Sequence, residues 1–554
     1  MESKPRHPSP IVRIVVGLVL LVPMLTACLL IKLVPVLQTL FRSLQEYNVV
    51  APGEFIGLEN YVQFLMDDDT FWRAVGQTGL FVLVRLLAVA ILPVALGYLV
   101  ARLGRWGRTL YRIWFTLVVL LAVPISLLMG WRIQLDPGSG LLGKWLSPVS
   151  PGKSLLLLLF IDGATTCAIG CTLGTMIYAM VFRGTDGNWK GAFKPLLATW
   201  LIVNAVVLLS SALIFDFPYV LARGGNMMST TTWAIHKFIN TFAFFRVGYG
   251  AALAVPLILL YALCVLVAWG VGEWARLRLV YVPASKPSDK RTGHVLVGIL
   301  MIPVVLIASL PILLPHLSSL SNAASVSFEL PFEPPPLGSS LAALAPLLFL
   351  AIPAAYVAAA AISLAQPLGR IGTKILALVL LLGSAVPIPL IMTSLFEMTR
   401  ALHALNTVWG LMLPYLASGT AFYLFKLYFD GRHEHVDEAV RQGTPALNAI
   451  WKQAVLPSLP ILLLVAVAFS FASVAVSGLP WMLVATRSPE TAPWPVFMLG
   501  QSAVPSVRPE WLGTLALQWV GALFVIWVVP ALLAQLFLVD RLALVSRPRS
   551  TKDQ

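Results

Sequence analysis

Hydrophobic runs of about 18 or more residues recur along the chain between short polar stretches, and each is long enough to cross roughly 30 Å of hydrocarbon as a helix. The runs fall near 11–41, 72–101, 110–131, 154–182, 195–215 and 249–272, then near 295–316, 340–365, 375–396, 407–429, 456–478 and 512–539. Backbone in lipid is satisfied only in helices or closed barrels, and these runs lack the alternation of barrel strands. The pattern therefore predicts an all-α, polytopic membrane protein with about 12 transmembrane helices.

Composition agrees: 58% apolar against 11% charged residues leaves too few ionisable side chains to solvate a globule of 554 residues. A net charge of +14 would point a soluble protein toward nucleic acid, so the positions of the basic residues decide. With the N-terminus placed inside, inner tails and loops hold 25 Lys and Arg and outer loops 11, while Lys32 and Arg85 sit within apolar runs. This asymmetry follows the positive-inside rule, puts both termini in the cytoplasm, and makes the partner a lipid bilayer and not nucleic acid. Leu25-Thr-Ala-Cys28 follows a basic start, as a lipoprotein cleavage site would, but the apolar run continues to Leu40 and predicts a long first membrane helix. Cys28, Cys167, Cys171 and Cys264 all fall inside predicted spans, so no disulfide framework is implied. Cys167 and Cys171, at i and i+4 with no histidine or acidic pair nearby, read as small-residue helix packing and not as a metal site.

Between the sixth and seventh runs, residues 281–291 are polar, basic and proline-containing, the composition of a linker. The expected organisation is a first half at 1–280, a cytoplasmic linker at 281–294 and a second half at 295–554, six spans in each half. Two similar units in one orientation suggest a substrate path at their interface. Gly57-Leu-Glu-Asn-Tyr-Val-Gln-Phe64, followed by Asp67, Asp68 and Asp69, reads as a short amphipathic element that either docks a partner or lies on the membrane. Phe328-Glu-Leu-Pro-Phe-Glu-Pro-Pro-Pro336 reads as an extended outer segment.

The most informative polar stretch is the predicted inner loop at 430–457. In it, Asp437-Glu-Ala-Val-Arg-Gln-Gly443 leads to Trp451-Lys-Gln-Ala-Val-Leu-Pro457. Glu438 and Ala439 are expected to open a short amphipathic helix that Gly443 and Pro445 interrupt. An acidic residue there would suit a helix start. Ala439 and Gly443, four residues apart, would let another protein approach closely.

This stretch resembles the EAA loop of ATP-binding-cassette (ABC) importer permeases through Glu438, Ala439, Gly443, Leu456 and Pro457, with Val440 and Gln442 as departures from the pattern. The start of the preceding span, Leu405-Asn-Thr-Val-Trp-Gly-Leu-Met-Leu-Pro-Tyr415, looks like that of carbohydrate permeases of the maltose and glycerol-phosphate type. The first half resembles the partner permease of such systems in five stretches. They are Gly57-Leu-Glu-Asn-Tyr61, Phe71-Trp72, Asp136-Pro-Gly-Ser-Gly140, Phe217-Pro-Tyr-Val-Leu-Ala-Arg-Gly-Gly225 and Gly248-Tyr-Gly-Ala-Ala252. The resemblance implies two permease subunits of the type I importer fold fused in one chain, in the inner membrane of a prokaryote. It further implies two copies of a cytoplasmic ABC ATPase, coupled chiefly through the 430–457 loop, an extracytoplasmic solute-binding protein, and a sugar or oligosaccharide as solute. In the first half only Asp186 and Gly187 echo the coupling motif.

Arg85 and Asp162, ionisable residues within apolar runs, are candidates for the translocation path or else for mutual pairing or snorkelling. Trp72, Trp131, Trp233 and Trp494 lie near span ends and read as interfacial anchors. His433-Glu434-His435 reads as solvated loop and not as a metal site. No Gly-rich phosphate loop ending in Lys and Ser or Thr occurs, so no ATP hydrolysis by this chain, and no cofactor, is expected. Two other classes remain. A secondary transporter of two six-span repeats would need no ATPase, and a membrane enzyme would need an acidic or histidine cluster at the membrane surface.

Overall fold

The computed structural model describes residues 10–48, 53–135, 151–185, 189–221, 230–282, 291–323, 333–341, 344–475, 479–486, 492–504 and 507–546. Among these the protein is all-α and polytopic. Ten helices are long and apolar enough to cross a membrane, and two bent pairs bring the number to 12 when each pair is one span. In chain order the spans are Ile14–Arg42, Asp69–Arg102, the pair Arg105–Leu121 and Pro124–Gln134, Leu155–Arg183, Trp189–Leu221 and Val247–Ala275. The next six are Val297–Ser321, Leu337–Ala365, the pair Gly369–Ser384 and Ile388–Ala401, Val408–Arg441, Ala446–Val474 and Glu510–Arg541. Each expected run has its counterpart, but the tenth extends to Arg441 and the eleventh begins at Ala446, well beyond the expected 407–429 and 456–478, and the third and ninth are not straight. They bend by 76° and 72°.

The same four residues sit at both bends, Ala122-Val123-Pro124-Ile125 and Ala385-Val386-Pro387-Ile388. A proline pushes the residue before it out of the helical region, and Val123 is indeed extended at φ −83°, ψ 111°. Pro387, two residues ahead of Pro389, is extended as well at φ −64°, ψ 139°. Each bend frees carbonyls that no water can satisfy at this depth. His316 Nε2 of the seventh span donates to Leu121 O at 2.7 Å. Lys32 Nζ of the first span donates to Val386 O at 3.1 Å, and Tyr261 of the sixth donates to Leu382 O at 2.6 Å.

The partners come from across the molecule, so packing is crossed. The first span lies on the eighth and ninth, and the seventh lies on the third and fourth. The sixth packs on the ninth and the twelfth on the third. Close approach demands glycine at two places. A Cβ on Gly130 would sit 2.5 Å from the Pro315 carbonyl oxygen of the seventh span. A Cβ on Gly383 would collide with the Cys28 sulfur of the first span.

One end of the bundle, here the basic end, is tied by charge and by a strand ribbon. Asp540, closing the twelfth span, faces Arg108 Nε at 3.3 Å, Arg112 Nη1 at 3.2 Å and Arg183 Nη1 at 3.2 Å, all largely buried. Glu273, near the end of the sixth span, binds Lys374 of the ninth and, at 3.0 Å, Lys426 of the tenth, which also meets Asp430 at 2.6 Å. Each closing helix thus offers a carboxylate to cations on the third and fourth spans of the other set of six. Beyond them Leu277–Tyr281 pairs antiparallel with Leu542–Ser546. The ribbon takes Tyr281, and the seventh helix begins at Arg291, inside the expected 281–294 linker. Residues 283–290 lie outside the described residues.

Three substitutions test this packing. Gly130→Val, overpacking against Pro315, should cost about 1–3 kcal/mol and lower the thermal midpoint of detergent-purified protein, while an unchanged midpoint would mean the spans do not meet there. Asp540→Asn leaves three buried guanidinium groups uncompensated and should cost about 3–5 kcal/mol in denaturant titration. Glu397→Gln, at the half-buried Arg42 pair of the opposite end, should cost less than about 1 kcal/mol.

Candidate coupling loop and translocation path

The tenth helix does not stop where its apolar run ends, near residue 429. Gly419–Arg441 is one continuous helix, so Glu438 and Ala439 occupy its last turn and do not open a new one. Glu438 therefore sits at the negative end of the helix dipole, the reverse of the expected placement. Gly443 ends the helix at φ +94°. Its N–H donates to Val440 O at 3.1 Å and the Thr444 N–H to Ala439 O at 3.0 Å, a Schellman cap that needs the left-handed residue in the middle. Pro445 then starts a second helix, Ala446–Ile450, which runs on into the eleventh span.

The result is a projecting helical hairpin whose inner side is packed and whose tip is bare. Ala439, Ala449 and Ala454 are buried, Tyr428 donates to Ala454 O at 3.2 Å, and Tyr281 donates to Pro457 O at 3.1 Å. Glu434 pairs with Arg278 at 3.2 Å and His433 with Asp437 at 3.5 Å, which accounts for two of the three residues 433–435. No group of His, Cys, Asp and Glu able to hold a metal is found among the described residues. Of the expected coupling residues, Glu438 and Gly443 are exposed at the tip, Ala439 faces inward, and Leu456 and Pro457 lie further along the eleventh span. The sequence reading passed over Leu447 and Trp451, one turn apart and 80% and 56% exposed. Two large apolar residues at i and i+4 in the predicted inner loop were the signal. Asp186 and Gly187 lie outside the described residues.

Within the spans, Arg85 and Asp162 come together. Nε donates to Oδ2 at 2.7 Å and Nη2 to Oδ1 at 2.6 Å, a bidentate pair whose carboxylate is almost fully buried. The tryptophans need a correction. Trp72 is exposed, but Trp131 and Trp494 are buried at 4% and 5% exposure and cannot be interfacial anchors. Trp494 stacks on Trp519 with ring centroids 5.7 Å apart, in an apolar cluster shared with Trp131 and Trp527 that joins the third, eleventh and twelfth spans. The indole N–H groups of Trp131, Trp494 and Trp519 are buried without a partner among the described residues.

No family model matches the chain. It is 28% identical over 276 residues to the sulfoquinovosyl glycerol transport system permease protein of Agrobacterium fabrum, covering 45% of this chain and 87% of that one. A probable ABC transporter permease protein of Bacillus subtilis is 20% identical over 294 residues, 47% of this chain and 90% of the relative. A probable starch degradation products transport system permease protein of Thermoanaerobacterium thermosulfurigenes is 23% identical over 261 residues, 43% and 88%. The chain is a relative of ABC transporter permeases.

At the end of the bundle opposite the basic one, the segment after Gly57 folds back onto the helices and does not stand free. Phe64 is buried against Phe71 and Tyr249, and Asp68 accepts from Tyr249, from the Phe71 N–H at 3.0 Å and from His236 Nε2 at 2.9 Å. Burial alone would raise the Asp68 pKa, but these hydrogen bonds outweigh it and hold the carboxyl below its ordinary range. Burial likewise lowers His236, against the pull of Asp68. Next to it Lys237, buried and donating to the Pro389 carbonyl just past the second bend, is brought down to about 7 by burial.

For both Asp68 and His236 the folded pKa is depressed. Each therefore contributes stability that is present above its unfolded value, about 3.9 and 6.5, and is lost as pH falls through the folded one. Hydrogen exchange at 59–72, corrected for intrinsic rates, should rise on acidification below about pH 6 and again below about pH 4. His236→Gln should abolish the first rise only, and a flat wild-type profile would contradict the assignment.

Proposed function

We propose that this protein is the complete membrane path of an ABC importer, two permease units in one chain, driven by separate ATPase subunits. The observation that carries the reading is a relation of lengths: relatives matched over 87% and 90% of themselves occupy only 45% and 47% of this chain. The Ala-Val-Pro-Ile bend, recurring in the third span of each set of six, supports the same division at the 281–294 linker. A sugar or sugar-bearing solute is favoured, because two of the relatives are named for sulfoquinovosyl glycerol and starch degradation products.

In this reading the basic end faces the cytoplasm of a prokaryotic cell, and the hairpin at 431–455 enters a cleft of the ATPase with Leu447 and Trp451 as its apolar anchors. Glu438 and Gly443 shape the tip, Ala439 and Pro457 hold the hairpin to the bundle, and Leu456 lies exposed beside them. A solute-binding protein would deliver substrate at the opposite end. Closure of the ATPase pair would pull on the hairpin and shift the bundle between access to one side and to the other.

Trp451→Asp together with Leu447→Asp should abolish co-purification of the ATPase and vanadate-sensitive uptake while leaving detergent-purified protein folded. Retention of both activities would refute docking at the hairpin. A secondary transporter, favoured only by the buried Arg85–Asp162 pair, would instead show uptake that vanadate does not touch.

A further inference from the structure

The second span is interrupted as well. Ile91 leaves helical geometry at φ −119°, ψ −52°, Pro93 follows, and the freed Ala90 carbonyl accepts from Trp200 Nε1 of the fifth span at 2.9 Å. Between the two spans this break opens an apolar groove of about 520 Å³ on the outside of the bundle, lined by Ile91, Val94, Tyr98, Phe193, Leu197 and Trp200 among others. Ile91 and Phe193 are 77% and 62% exposed, at residues that both belong to membrane-crossing helices. At this depth hydrocarbon, not water, is the solvent that fills such a space.

The groove has a charged end. Toward the basic end of the bundle, Tyr98 packs on Trp189 and Phe182 with centroids 5.0 and 5.1 Å apart, and the Arg102 guanidinium lies 4.2 Å from the Tyr98 ring centroid. Arg102 is exposed, and no carboxylate lies within ion-pair distance of it among the described residues. Arg105 opens the third span just beyond, and Lys190 and Lys194 flank the start of the fifth. An apolar slot that ends at an aromatic ledge under a cation has the two-part chemistry of a lipid with an anionic headgroup.

We propose that this groove binds one anionic phospholipid, its acyl chain lying between the second and fifth spans across Ile91 and Trp200 and its phosphate on Arg102. The site needs only the membrane-spanning fold and is independent of the solute carried.

The test uses full-length protein in mild detergent, exchanged with phosphatidylglycerol or phosphatidylcholine of equal chain length, with retained lipid counted by native mass spectrometry. Wild type should retain phosphatidylglycerol about 5-fold over phosphatidylcholine, the factor one cation beside an anionic headgroup supplies. Arg102→Gln, at the surface, should remove that preference, and Ala95→Trp, filling the groove, should remove retained lipid of both kinds. Arg370→Gln, at the basic end on the ninth span, should change neither. Equal retention of the two lipids by wild type overturns the proposal, as does a preference that survives Arg102→Gln. A small membrane protein co-purifying in place of lipid, and lost with Ala95→Trp, would overturn it too.

Discussion

A helix broken inside a bilayer must find new partners for the backbone groups it releases, and this requirement organises the protein. The two Ala-Val-Pro-Ile bends release carbonyls at Leu121, Leu382 and Val386. Their donors, His316, Tyr261 and Lys32, all stand on spans of the opposite set of six. Burying a lysine costs several kcal/mol on its own, as does an orphaned carbonyl, so neither group is tolerable without the other. Crossing of the first and seventh spans follows from that pairing, and the bare Cα positions of Gly130 and Gly383 let the helices come close enough to make it.

Polar contacts at the two ends differ in strength for physical reasons. The Asp540 cluster is largely buried, as is Lys426 between Glu273 and Asp430, and where a charge is buried removing its partner strands it, so these contacts hold the basic end firmly. Across the opposite end, Arg42 and Glu397 meet at 3.4 Å with both side chains partly exposed, a contact that solvent weakens. The two ends of the bundle are therefore unequal in how readily they part.

Most of the spans could be read from the sequence, because a run of apolar residues long enough to cross hydrocarbon has few other uses. The bends could not be read from hydropathy alone, since Ala-Val-Pro-Ile is as apolar as its surroundings and only comparison of the two occurrences reveals it. Trp131 and Trp494 misled for a related reason: position near a span end says nothing about whether a ring faces lipid or the bundle. In the hairpin, Gly443 was legible as an interruption, but its role as a cap depended on knowing that the tenth helix runs to Arg441. Arg85 and Asp162 were both picked out, and only the fold could show that they neutralise each other.

The ribbon between Leu277–Tyr281 and Leu542–Ser546 bears on how such a chain could have arisen. Its strands follow the sixth and the twelfth helix, so each set of six spans carries its own strand and neither depends on a covalent link for pairing. Severing the peptide chain between Val282 and Arg291 would leave both strands, both ion clusters and both crossed first helices intact as contacts between separate molecules. Joining two such subunits end to end adds no new interface. It raises the effective concentration of one for the other and fixes their stoichiometry at one to one.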